Sequence, residues 1–211
     1  MAKMLILTGP QGAGNHLWSK IFSLHPEVYG WRTLLENYWE PHRFAEPFAQ
    51  HWRDPSLLKS FSWSQSEYYF TSISLPLGII GSDVNPIWVP DITRFIDAVL
   101  GCGIKLEIAV VGRDQTILNN QQTRIRTQST LPMFLEQLPK ISDPIFLSYE
   151  LLYLYRQDYL KSLSLNIPIA WDHPKINEIL ADDANAKYIH SIEHNPLDEG
   201  NKQGVTFKTR P

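Results

Sequence analysis

Met4-Leu5-Ile6-Leu7-Thr8-Gly9-Pro10-Gln11-Gly12-Ala13-Gly14-Asn15-His16-Leu17-Trp18-Ser19-Lys20-Ile21-Phe22-Ser23-Leu24-His25-Pro26 decides how this chain folds. Met4 to Leu7 is an unbroken apolar run, the pattern of a central strand buried on both faces. Gly9 to Gly14 then breaks any regular structure. Leu17, Ile21 and Leu24 recur at helical spacing, and His25-Pro26 closes the helix, because the residue before a proline is pushed out of the helical region. Strand, glycine loop and helix therefore follow one another without a spacer.

Outward from this unit, Tyr68–Ser74, Lys105–Val111 and Pro144–Tyr149 read as further strands. Between and after them, Ile92 to Leu100, Asp114 to Thr127 and Leu152 to Leu163 carry helical patterns. Such alternation predicts an α/β fold of P-loop type, three layers deep, with a mostly parallel central sheet flanked by helices. Trp31 to Ser66, rich in aromatic residues, His and Pro, has no clean period and is expected to cover the sheet edge as short helices and loops. From 181 to 211 the chain is polar, so one domain over 1–180 with a C-terminal arm is expected.

Composition narrows the function classes. Of 211 residues, 43% are hydrophobic and seven are Trp, enough apolar surface to order a core. Nineteen Lys and Arg against 22 Asp and Glu give a net charge of −3, which argues against a duplex nucleic-acid partner. A single cysteine, Cys102, forbids an internal disulfide and a cysteine metal cluster. No run approaches the ~18 apolar residues of a membrane span, and the N-terminal apolar run is too short for a signal peptide. No membrane contact and a cytoplasmic location are the expectation; the oligomeric state is not legible.

The loop Gly9-Pro10-Gln11-Gly12-Ala13-Gly14 has the G-x-x-x-x-G half of a phosphate-binding loop. Inward-pointing amides and the positive end of the following helix together favour an anionic phosphate. A nucleoside-triphosphatase would continue with Lys and Ser/Thr, for the β/γ-phosphates and Mg²⁺; here Asn15 and His16 stand there. That departure counts against Mg-ATP chemistry.

Three segments in order carry a resemblance. The stretch Gly9 to Val28 resembles the opening of sulfotransferases, with their G-x-P-[KR]-S-G-T-T loop and His-Pro-Glu-Val-like exit; Gly9, Gly14, Leu17 and His25-Pro26-Glu27-Val28 are in register with it. VVGRDQTILNNQQ (110–122) resembles the family's V-x-R-[DN]-P…S element. FLSYELLYLYRQDYLKSLSLNIP (146–168) resembles its R-Y-E-D-L-L element and Leu-Gly-Leu-Pro-like stop. The resemblance implies a protein that binds 3′-phosphoadenosine 5′-phosphosulfate (PAPS), or its product 3′-phosphoadenosine 5′-phosphate (PAP), and transfers a sulfuryl group to a small-molecule or glycan acceptor through a hydroxyl or amine. Carried over residue by residue, Gly12, Ala13, Gly14, Asn15 and His16 would cradle the phosphosulfate. Arg113, with Gln121 at the family's Ser position, would hold the 3′-phosphate. Two positions differ: Gly12 replaces the family's basic loop residue, and Ser74 stands where the K-T-H-L-P segment of cytosolic members has its catalytic His.

Sulfuryl transfer needs a base on the acceptor and positive charge near the bridging oxygen. His16 is the candidate donor to a phosphosulfate oxygen, its pKa lowered by the helix N-terminus. Glu36 is the candidate base, with Glu40 and Asp83 as alternatives. Glu150, between a strand and a helix, reads as a loop tie. His190-Ser191-Ile192-Glu193-His194 fits the H-x-x-E-H pattern, but lacks a third ligand well downstream, so no metal site is expected. Two other functions remain open: a catalytically inactive nucleotide-binding or interaction module of the same fold, and an atypical P-loop nucleotide kinase.

Overall fold

Strand β1 (Lys3–Gly9) occupies the centre of the sheet because both of its faces are apolar. Leu5 and Leu7 enter one core cluster, Met4 and Ile6 the other. The structure is a computed structural model and describes residues 1–79, 81–84, 86–126 and 128–182. The remaining strands are β2 (Val28–Tyr29), β3 (Tyr68–Ser74), β4 (Lys105–Gly112) and β5 (Ile145–Ser148). Their order is β2-β3-β1-β4-β5, and every neighbouring pair is parallel. In register, Lys3 lies opposite Tyr68 on one side and Lys105 on the other.

The α-helices are α1 (Asn15–Phe22), α2 (His42–Ala45), α3 (Ala49–Arg53), α4 (Ile92–Gly101), α5 (Gln115–Arg126), α6 (Leu131–Gln137), α7 (Tyr149–Ser162) and α8 (Lys175–Ala181). Helix α1 packs Leu17, Trp18, Ile21 and Phe22 onto the Leu5/Leu7 face, with residues of α7 and α8 beside it. Each of those fully buried side chains stabilises the layer by roughly 1.5–3 kcal/mol. The Met4/Ile6 face takes α3, α4 and α6 through Trp52, Phe95, Val99 and Phe134. The result is the α/β three-layer arrangement that the alternating pattern predicts.

Three details differ from the sequence reading. β2, α6 and α8 were not expected, being too short to leave a period. Helix α7 begins at Tyr149, before Leu152, because the Ser148 side chain caps it by accepting from the Leu151 amide at 3.1 Å. The segment 31–66 does form short helices, but it also fills a core. Phe48, Trp52 and Leu58 are buried there, and Trp52 stacks on Phe95 of α4 with ring centroids 3.7 Å apart. The C-terminal arm beyond Asp182, with its H-x-x-E-H pattern, lies outside the described residues.

The chain runs from central β1 to edge β2, returns to β3, and crosses β1 to reach β4. Strand order thus reverses at β1, and the crevice past the carboxyl ends of its strands is where parallel sheets of this kind bind ligands. The glycine loop sits at that point.

Candidate functional site

The loop is built by its glycines. Gly12 and Gly14 have φ of +84° and +105°, values that side-chain-bearing residues rarely adopt. Gly14 also lies against the Tyr149 ring at the start of α7, where an added Cβ would come within 2.6 Å. Pro10 O accepts from the Ala13 amide at 3.2 Å, and Gly14 O receives the first helical bond of α1 from Trp18 N at 3.0 Å. The buried Gln11 side chain anchors the loop by donating to Gly78 O at 2.6 Å, and Gln122 Nε2 donates to Gln11 O at 2.6 Å.

Arg113, at the carboxyl end of β4, reaches this loop and is only 8% exposed. Its Nη1 donates to Gly12 O and to Gln121 Oε1, each at 2.7 Å, and its guanidinium lies over the Tyr149 ring, 4.6 Å from the centroid. Three residues more than a hundred positions apart in part, Gly12, Arg113 and Gln121, are therefore brought together. Glu150 acts as the loop tie, its Oε1 accepting from the Asp114 amide at 2.8 Å.

Asn15 and Ser74 meet on the other side of β1. Asn15 Nδ2 donates to Ser74 Oγ at 2.8 Å and to Gly9 O at 3.4 Å. Ser19 Oγ donates to Asn15 O at 2.6 Å and lies 2.9 Å from Ser72 Oγ, continuing the polar seam into β3.

His16 differs from its expected role. Its Nε2 lies 2.9 Å from Glu40 O. A carbonyl only accepts, so Nε2 carries the proton and is engaged with Glu40 rather than offered to a phosphosulfate oxygen. The ring lies between Trp31 and Trp39, at centroid distances of 5.2 and 6.0 Å. Burial, the largest cause, lowers its pKa; the bond to Glu40 O opposes this, and Lys20 adds to the lowering. The direction is as expected, but the principal cause is desolvation.

The carboxylates also sort themselves. Glu36 is 75% exposed and pairs with Lys175 of α8 at 3.8 Å. Asp83 is exposed. Glu40 instead joins the His16 cluster: its Oε2 accepts from Trp31 Nε1 and Thr33 Oγ1, each at 2.7 Å, and its Oε1 from Asn37 Nδ2 at 2.8 Å.

A buried pair was missed by the sequence reading: His42 and Glu46, one helical turn apart on α2 and just beyond it. Glu46 Oε1 accepts from Thr71 Oγ1 at 2.7 Å, and Oε2 from Phe48 N at 2.8 Å. His42 Nε2 donates to Ser72 O and lies 4.0 Å from Glu46 Oε2. Burial pushes Glu46 up to about 8 and His42 down to about 4. The i,i+4 spacing of His and Glu was the available signal.

A groove of about 680 Å³ runs along edge strand β2 and the start of β3, between Pro26, Tyr29, Pro47 and Tyr68. It is not at the glycine loop: no loop residue lines it, and its polar wall is made instead by Glu27, Arg32, Gln65 and Glu67. Among the described residues, no cluster of three or more His, Cys, Asp or Glu could hold a metal ion, and no helix is long and apolar enough to cross a membrane. Comparisons with protein-family models, curated proteins and solved structures found no match.

Proposed function

We propose that this chain binds PAPS, and PAP as its product, at the glycine loop and transfers a sulfuryl group to a hydroxyl or amine acceptor. A small molecule or glycan would be the acceptor, and the cytoplasm the setting. The observation that carries this reading is Arg113, whose Nη1 donates to Gly12 O and to Gln121 Oε1, each at 2.7 Å. A fixed cation on the strand beside the loop suits a nucleotide with a second phosphate, since a guanidinium binds phosphate oxygens through two parallel donors. The start of α1 at Asn15, following Gly12, Ala13 and Gly14, supplies amides and the helix dipole for the other end of the ligand.

Binding without transfer is the second reading. It is favoured by the loop itself, which has Gly12 at the family's basic position, and by His16 Nε2, which is engaged with Glu40 O. An atypical kinase has less support, because Asn15 and His16 replace the pair that would hold Mg-ATP.

Calorimetry with PAP, ADP and Mg-ATP tests the ligand. PAP is expected to bind without Mg²⁺ and more tightly than ATP; no PAP binding, or tight Mg-dependent ATP binding, would overturn the reading. Transfer of labelled sulfate from PAPS to a panel of acceptors then separates enzyme from binding module.

A further inference from the structure

We propose that His16 is the general base of this site and that its Nδ1 takes the proton from the acceptor. The inference rests on the sulfuryl-transfer reading and changes the role that the sequence alone gives to His16.

Glu40 O fixes the proton on Nε2, so Nδ1 of the neutral ring carries the lone pair. Among the described residues Nδ1 makes no hydrogen bond, and it is not sealed from solvent. His42 is the instructive contrast: its Nε2 is likewise held by a carbonyl, but its Nδ1 is buried.

The ring is also held in place. Trp31, which is buried, and Trp39, which is 60% exposed, pack against it. The Glu40 carboxylate is itself fixed by Trp31, Thr33 and Asn37. A base oriented through its second nitrogen by a group that is in turn held is the arrangement that general-base catalysis requires. Glu36, the carboxylate expected in this role, is engaged with Lys175 at the surface.

The charges acting on His16 agree with the assignment. Desolvation and Lys20 lower its pKa, Glu40 opposes them, and His42 on α2 also interacts with it. The ring is therefore neutral near pH 7 and able to accept a proton. In the step itself, the acceptor O–H or N–H gives its proton to Nδ1 as the acceptor atom bonds to sulfur. The bond from sulfur to the bridging oxygen breaks, and its electron pair leaves with PAP.

The test uses the full chain and His16→Gln, whose amide N–H can keep the bond to Glu40 O while offering no basic nitrogen at the Nδ1 position. PAP affinity by calorimetry is expected to change by less than about threefold. The value of kcat for PAPS-dependent transfer is expected to fall by ~10²- to 10⁴-fold with little change in KM. The wild-type kcat should fall below a midpoint lower than 6.5, and that acid limb should vanish in the variant. Independently of activity, diethylpyrocarbonate followed by peptide mapping should modify His16, at a rate that follows the same ionisation. Unchanged kcat in His16→Gln, or a His16 refractory to the reagent, would overturn the assignment while leaving PAP binding intact. Failure of the wild type to bind PAP would instead remove the sulfuryl-transfer reading, and the base assignment with it. PAP binding with no transfer to any acceptor would overturn the assignment in favour of the binding module.

Discussion

Replacing Glu46 by Gln should reverse its effect on stability between pH 5 and pH 8. Glu46 is fully buried, and burial raises its pKa from 4.5 to about 8, although bonds from Thr71, Phe48 and Ser72 pull the other way. Below pH 4.5 the folded and unfolded chains both hold this proton. Between 4.5 and about 8 the unfolded chain releases it and the folded chain does not, so stability falls as pH rises. The slope is about 1.4 kcal/mol per pH unit, and the gap of about 3.5 pH units makes the full loss about 5 kcal/mol, to order of magnitude. Gln cannot ionise, which removes this slope, but its NH₂ must replace one of two oxygens that accept from backbone amides, Oε2 from Phe48 at 2.8 Å and Oε1 from Ser72 at 3.4 Å. Leaving either buried donor without an acceptor costs about 1–3 kcal/mol. The variant is thus expected to be less stable than wild type at pH 5 and more stable at pH 8, the curves crossing between. Urea unfolding followed by tryptophan fluorescence at four pH values measures this. Parallel curves for the two proteins would refute the reasoning.

Other outcomes follow from the same contacts. Arg113→Ala should weaken PAP by ~10- to 150-fold more than adenosine 5′-phosphosulfate in the same calorimetry, because both ligands lose the bond that steadies Gly12 O but only PAP loses a charge-assisted contact to its 3′-phosphate. Gly14→Ala should destabilise the fold by about 1–3 kcal/mol in urea unfolding, since φ is +105° and the new Cβ meets the Tyr149 ring at 2.6 Å. Trp52→Ala should cost about 3–5 kcal/mol by the same measurement, because it empties the stack on Phe95 and leaves Thr71 Oγ1 without the indole donor at 2.9 Å.

Sequence alone determined the layers of this protein. Met4 to Leu7 is apolar at every position, and so short a run ended by a glycine turn fits a strand buried on both faces. The positive φ at Gly12 and Gly14 could be anticipated in the same way, because a strand must turn sharply to enter α1 and only glycine turns so freely. These are local constraints, written in consecutive residues. The strand order and the partners in the site were settled by tertiary structure. Arg113 meets Gly12 because β4 pairs directly with β1, although β2 and β3 lie between them in the chain. Glu40, four residues from Glu36 and of the same chemistry, is the carboxylate-bearing residue at His16, while Glu36 turns to Lys175 on α8. His42 and Glu46 acquire opposite pKa shifts only because the fold removes both from water. Desolvation and long-range pairing depend on which distant segments pack together, and no local spacing in the chain encodes that.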